Sequence, residues 1–239
     1  MKRFNDFNDV NVFSQRKGKS SHIYTVSLDP GFKVYDEKTF RVKKGTLDIS
    51  HSEDYPETLE IREWNPNKSK LGAAISLKAK IPGLFYGAKV LYLGCSYGTT
   101  VSHVSDVVGK GGIVFGLDFA PVVMKKFYFL SQRRKNIIPI MADANKPEEY
   151  RIIVPKVDVL FEDVAQKNQV EIFIKNAKSY LKSRGIGMLA VKSRSIDVAK
   201  RPDVIYKEIR SVLKKHAEIV DFVRLDRFEK DHGFFVLRF

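Results

Sequence analysis

Lys89-Val90-Leu91-Tyr92-Leu93-Gly94-Cys95-Ser96-Tyr97-Gly98-Thr99-Thr100 is the stretch that decides the fold. A short apolar run stops at one glycine and turns through a second. It then leads into Val101, Val104 and Val108 at helical spacing. Strand, tight glycine turn and helix make the first half of a β–α–β unit. The same pattern recurs downstream. Ile113-Val114-Phe115-Gly116-Leu117 predicts a second strand, followed by a helix carrying Val123, Phe127 and Leu130. Ile137-Ile138-Pro139-Ile140 and Val157-Asp158-Val159-Leu160-Phe161 predict the third and fourth strands. Val170, Phe173, Ile174, Ala177 and Leu181 then form one apolar helical stripe. Gly187-Met188-Leu189-Ala190-Val191 reads as a fifth strand, and Ile205, Ile209, Val212 and Leu213 mark another helix. Continuous apolar strands separated by helices predict an α/β fold, a mostly parallel sheet covered on both faces. The closing runs at 219–223 and 234–237 have only a polar loop between them, which predicts an antiparallel edge pair.

Upstream the pattern changes. Short β-prone pieces at 22–26, 39–42 and 59–62 are separated by Asp29-Pro30-Gly31, Lys44-Gly45 and Tyr55-Pro56. This spacing predicts a small antiparallel β domain over residues 1–64, and Asn65-Pro66 opens the larger domain over 65–239. The polar start, Met1-Lys2-Arg3-Phe4-Asn5, does not read as a signal peptide.

The chain has 239 residues, and 44% are hydrophobic, enough for a packed core but with no run long enough to span a membrane. A single cysteine, Cys95, excludes an internal disulfide and any multi-cysteine zinc site, and no metal site is expected. The net charge of +14 points to a polyanionic partner, nucleic acid or an acidic membrane surface, without choosing between them.

In a sheet of this kind ligands bind beyond the carboxyl ends of the strands. Gly94 and Gly98 let the backbone turn and approach a ligand, and Thr99 and Thr100 offer hydroxyls and amides at a helix start. Asp118 ends the second strand 24 residues after Gly94, where a carboxylate accepts from ribose hydroxyls. Phe119 beside it offers an apolar face to adenine. Asp143-Ala144 follows the third strand, and Glu162-Asp163-Val164-Ala165-Gln166 follows the fourth, with two adjacent carboxylates. These features fit a bound nucleoside, as NAD(H), a nucleotide or S-adenosylmethionine. The turn is not G-x-G-x-x-G and no P-loop lysine is present, which leans toward the phosphate-free S-adenosylmethionine. Lys192 closes the fifth strand, His232 precedes the last, and Lys70 opens the first helix of the larger domain. Singly, such lysines are most often surface residues; a lysine closing an apolar strand near Asp163 is harder to dismiss.

The segments Lys89–Gly94, Gly98–Asp106, Phe161–Gln166, Ala190–Asp197 and Glu229–His232 resemble fibrillarin, in its short archaeal form. The resemblance runs almost continuously from about Trp64 to the C-terminus. It implies a class I (Rossmann-like) methyltransferase with a seven-stranded, mostly parallel sheet, preceded by the small antiparallel β domain. It also implies an S-adenosylmethionine-dependent ribose 2′-O-methyltransferase acting on rRNA and tRNA. The implied cofactor contacts are Gly94, Thr99, Thr100, Asp118, Phe119, Asp143, Ala144, Asp163, Val164, Ala165 and Gln166. The implied catalytic residues are Lys70, Asp163, Lys192 and His232. Lys192 is expected nearest the 2′-oxygen, with Asp163 orienting it and His232 available as a base.

The implied partners are a box C/D guide RNA and its target RNA, a Nop-domain scaffold protein and a kink-turn-binding protein, in a cytoplasmic particle without a membrane. Arg133, Arg134, Lys135, Arg194, Lys200 and Arg201 are expected to follow RNA phosphates. Competing expectations are a stand-alone RNA or small-molecule methyltransferase, and a non-catalytic RNA-binding subunit. The family's usual Ala-Ala-Ser-Gly turn is Cys95-Ser96-Tyr97-Gly98 here. Asp118 stands where Glu is common, and Lys167 where a proline usually follows.

Overall fold

The computed structural model describes residues 2–3, 11–17, 20–49 and 51–239; Met1, Phe4 and Asn5 of the polar start lie outside them. The first sheet contains β1 (Lys2–Arg3), β2 (Val12–Lys17), β3 (Ser20–Val26), β4 (Thr39–Lys43) and β5 (Thr58–Trp64). Its strands pair antiparallel in the order β1-β2-β3-β5-β4. Then follow α1 (Lys70–Ser76), β6 (Lys89–Leu93), α2 (Thr99–Val108), β7 (Ile113–Asp118), α3 (Pro121–Arg133), β8 (Ile137–Met141) and β9 (Val157–Glu162). The chain ends with α4 (Gln169–Tyr180), β10 (Leu181–Lys192), α5 (Ser193–Ile196), α6 (Pro202–Leu213), β11 (Glu218–Arg224) and β12 (His232–Arg238).

The second sheet has the strand order β11-β12-β10-β9-β6-β7-β8. Strands β6 to β10 run parallel, and β12 is antiparallel to both β10 and β11, as the closing pair of apolar runs predicts. The order reverses between β6 and β9, so the carboxyl ends of these two strands open a crevice. Alternate residues along each strand build two core layers. Tyr92, Phe161, Ala190 and Phe234 pack on the face of α1 and α2, and Leu93, Leu160, Leu189 and Phe235 on the other.

Two elements differ from the sequence expectation. Leu181, read as the last residue of the α4 stripe, is the first residue of β10, and the β9–β10 register breaks between Leu181 and Ile186. Arg184 at φ 61° makes the intervening turn. Strand β2 carries only Val12 and Phe13 as apolar residues, too few for a period-two signal, yet both are fully buried.

Buried charge ties the first sheet to the second. Arg62, in β5, reaches Asp106 of α2 at 2.7 Å and Glu37 at 2.7 Å, and Arg134 reaches the other Asp106 oxygen at 2.6 Å. Thr25 of β3 donates to Asp106 at 2.8 Å, so it accepts from His103 Nδ1, also at 2.8 Å. His103 is held neutral by burial and by the charges of Arg62 and Arg134. Val12, Ile23 and Trp64 of the first sheet also belong to the α1/α2 core layer. Among the described residues no helix is long and apolar enough to cross a membrane. Removing one partner of a buried ion cluster strands the others. Asp106→Asn is therefore expected to cost about 3–5 kcal/mol, read as a lower denaturation midpoint.

Candidate active site

Side chains alternate between faces along a strand, so strand ends sort the polar residues. Phe161, Ala190 and Phe234 face α1 and α2. Asp163, Lys192 and His232 each lie two positions from one of these and project on the same side. Lys192 and His232 are directly opposed in the β10–β12 pairing. Helix α1 covers that face and opens with Lys70, whose Nζ lies 2.9 Å from one Asp163 oxygen and 3.2 Å from the other. Lys70, Asp163, Lys192 and His232 thus meet at one end of one face.

Their chemistry differs. Burial works against the Lys70 ammonium, but the charge of Asp163 and its hydrogen bond outweigh burial and hold Lys70 above the ordinary lysine value. Lys70 is therefore a fixed cation, unsuited to accept a proton. His232 Nδ1 lies 2.8 Å from the Lys230 carbonyl oxygen, which can only accept, so Nδ1 carries a hydrogen and, in the neutral ring, Nε2 holds the lone pair. Lys192 is exposed and forms no ion pair among the described residues. Asp163 is expected from sequence to orient Lys192. Its carboxylate is instead taken by Lys70.

Lys192 is placed through its backbone. Its N–H donates to Gln169 Oε1 at 3.1 Å, and Gln169 Nε2 donates to the Gln166 carbonyl at 2.8 Å. Gln169 is fully buried and clamps the loop after β9 to the end of β10. Sequence reading overlooks it, although a glutamine on the buried side of an amphipathic first turn is a usable signal. Ser69 is overlooked too. It caps α1 by accepting from Gly72, and it accepts the Thr100 hydroxyl at 3.0 Å, which fixes the start of α1 against α2.

Beside this cluster a pocket of about 310 Å³ lies between the ends of β6, β7 and β9. Gly94 makes it possible. Its φ is +79°, and a Cβ there would stand 2.5 Å from the Asp163 carbonyl oxygen. Asp118, Phe119, Ala144, Asp163, Val164, Ala165 and Gln166 line the pocket with Gly94, joined by Ser96 and Leu117. Thr99, Thr100 and Asp143 stand outside this lining. The Thr100 hydroxyl is turned to Ser69. Asp143 accepts from the backbone and side chain of Asn145, both at 2.9 Å, and these bonds hold it below the usual carboxylate range. Asn145 also donates to Gln166 at 3.2 Å, so Asp143 acts on the pocket wall through it.

The lining fits a nucleoside that carries positive charge. Asp118 accepts from the amides of Ser96 and Ala120 at 3.1 Å each, and its oxygens retain lone pairs for ribose hydroxyls. The Phe119 ring, 64% exposed, offers a face to a purine. The lining holds two carboxylates and no lysine or arginine, which suits a sulfonium and disfavours a pyrophosphate.

The sequence model of the fibrillarin family matches residues 2–239. The chain belongs to the fibrillarin family. It is 48% identical over 232 residues to a fibrillarin-like rRNA/tRNA 2′-O-methyltransferase of Thermococcus onnurineus, covering 97% of this chain and 96% of that one. The structure of Aeropyrum pernix fibrillarin with natively bound S-adenosyl-L-methionine matches with a TM-score of 0.80 at 39% identity, over 95% of this chain and 94% of that one. A fibrillarin/Nop5p complex contains a chain that matches with a TM-score of 0.80 at 33% identity, over 98% of this chain and 100% of that one.

The expected RNA contacts divide. Arg134 is 2% exposed and bound to Asp106, so it is a structural ion and not a phosphate ligand. Arg133 makes a two-pronged pair with Asp29 at 2.7 and 3.0 Å and lies over Phe32. Both, with Lys135, stand at the far end of α3, about 20 Å from its start at the pocket, given 1.5 Å per residue. Arg194, Lys200 and Arg201 follow β10 at the pocket end; Arg194 is paired with Asp231 and Lys200 with Glu208.

Glu162 departs most from its neighbour Asp163. It points to the opposite core layer, fully buried, and neither carboxylate oxygen has a hydrogen-bond partner. Burial first, and then the charge of Asp163, raise its pKa well above the ordinary glutamate value. An acid raised in the folded state takes up a proton on folding, so it lowers stability as pH rises from the unfolded toward the folded pKa. Glu162→Gln removes that slope. Thermal melts are expected to show the variant gaining on the wild type from about pH 4.5 upward, and a constant difference would contradict this.

Proposed function

We propose that this chain transfers a methyl group from S-adenosylmethionine to the ribose 2′-hydroxyl of rRNA and tRNA nucleotides selected by a box C/D guide RNA. It does so as the catalytic subunit of a particle with a Nop-domain scaffold and a kink-turn-binding protein. One observation carries the reading: a pocket walled by two carboxylates and no cation opens beside Lys70, Asp163, Lys192 and His232.

S-adenosylmethionine, when bound, supplies a methyl group already activated by its sulfonium. The residues have two remaining tasks, to hold the ribose oxygen in line and to manage its proton. Asp163 faces the pocket and balances positive charge there, while Lys70 keeps that carboxylate fixed. Lys192, exposed and unpaired, stabilises the negative charge that grows on the oxygen. His232 Nε2, which faces away from the Lys230 carbonyl bond, takes the hydroxyl proton.

Choice of nucleotide lies outside this chain. Lysines and arginines contact phosphates and read shape, with little base information. Likeness to the fibrillarin of the Nop5p complex supports a scaffold of that kind.

Transfer of a labelled methyl group, with and without guide RNA and scaffold, tests the reading. Product is expected only in the complete assembly, and Lys192→Ala is expected to lower it by about 10²–10⁴-fold. Cofactor binding by that variant should stay nearly unchanged. Turnover that survives the substitution, or methylation of free small molecules, counts against it.

A further inference from the structure

The Lys192 side chain is exposed and has no partner among the described residues, so the fold controls it through its backbone. Strand β9 accompanies β10 only as far as Glu162 opposite Leu189, and Lys192 lies farther along. On that open edge the side-chain amide of Gln169 takes the place of a strand. Its Oε1 accepts the Lys192 N–H at 3.1 Å, and its Nε2 lies 3.4 Å from the Lys192 carbonyl oxygen. On the other edge the Ser193 N–H donates to the Asp231 carbonyl at 3.1 Å, and the His232 carbonyl turns away to accept from Leu225 at 2.9 Å. Lys192 and His232 are therefore a non-hydrogen-bonded antiparallel pair. In such a pair the Cα atoms stand about 4.5 Å apart and the side chains approach most closely.

The same amide reaches the cofactor pocket. Gln169 Nε2 donates to the Gln166 carbonyl at 2.8 Å, and Gln166 lines that pocket. From the other direction Asn145 holds the Gln166 side chain at 3.2 Å. Gln169 is fully buried, so water does not replace any of these bonds when one opens. None of them serves α4, the helix that Gln169 begins. A planar amide fixes its donor and acceptor relative to each other, so one rigid group carries a shift of Gln166 to Lys192. We infer that Gln169 is a positioning residue that couples occupancy of the cofactor pocket to the placement of Lys192 beside His232. A filled pocket pins Gln166, Gln166 pins the amide, and the amide pins the end of β10. The inference rests on the methyltransferase reading above and adds an order to it: Lys192 is set for the ribose once the cofactor is in place.

Hydrogen exchange of the Lys192 amide, followed in the full chain with and without saturating S-adenosylmethionine, reads this coupling without any turnover. That N–H is held by a side chain and exchanges by local opening. Bound cofactor is expected to slow it by about tenfold relative to the amides of β5 in the first sheet. Gln169→Met is close in size and lacks the amide. It is expected to bind the cofactor and to lose the slowing at Lys192. In the complete assembly it is expected to lower kcat by about 10²-fold, with little change in the KM for cofactor. In a Lys192→Ala background the same substitution is expected to cost less than about twofold more, because Gln169 acts through Lys192. Equal losses in the two backgrounds overturn the inference in favour of a general structural role, and an unchanged kcat overturns it as well. If Gln169→Met does not fold, the wild-type exchange measurement decides alone. Cofactor binding without slowing at Lys192 fells the coupling and leaves the functional reading standing. A chain that binds no S-adenosylmethionine fells both.

Discussion

The pairing register of β9, β10 and β12 is the constraint on which the catalytic end depends. Lys192 opposes His232, and Leu189 opposes Glu162, so Asp163, directly after β9, falls on the side of α1. A slip of one residue in either pair turns a functional side chain into the opposite core layer. Glu162 shows what that layer does to a carboxyl group: it is left buried, without a hydrogen-bond partner among the described residues, and its pKa is raised. The alternation that fills both cores thus also separates an active carboxylate from an inert one.

A second constraint holds the first sheet in place. Its strand β5 sends Arg62 into a wholly buried ion cluster with Glu37, Asp106 and Arg134. Long charged side chains are seldom buried unless paired, and here the pairing spans both sheets and α2. Trp64, the last residue of β5, stacks on His103 of the same helix. The turn that follows leads directly into Ser69 and Lys70. The first sheet therefore fixes the origin of α1, and through it the ion pair at Asp163.

Much of this was legible in the sequence because it is local. Apolar runs, glycine turns and helical stripes predict the second sheet and its antiparallel close. The pocket residues at the strand ends follow from the same rule of strand and turn. What was not legible depends on contacts distant in sequence. Gln169, Asn145 and Ser69 are polar residues of ordinary appearance whose roles arise from hydrogen bonds to Lys192, Gln166 and Thr100. Arg134 is different, since its signal was present. It continues the buried side of α3, after Phe127, Leu130 and Ser131, at helical spacing. Reading Arg133-Arg134-Lys135 as one charge run hid that phase.

The proposed function places both the cofactor and the reacting ribose on one face of the sheet, at the crevice between β6 and β9. A crystal structure of the assembled particle with S-adenosylmethionine and target RNA tests this most directly. Adenosine is expected in the pocket between Gly94 and Asp163. The target 2′-oxygen is expected within about 3 Å of Lys192 Nζ or His232 Nε2. A ribose seated beyond the far end of α3, or a cofactor outside that pocket, contradicts it.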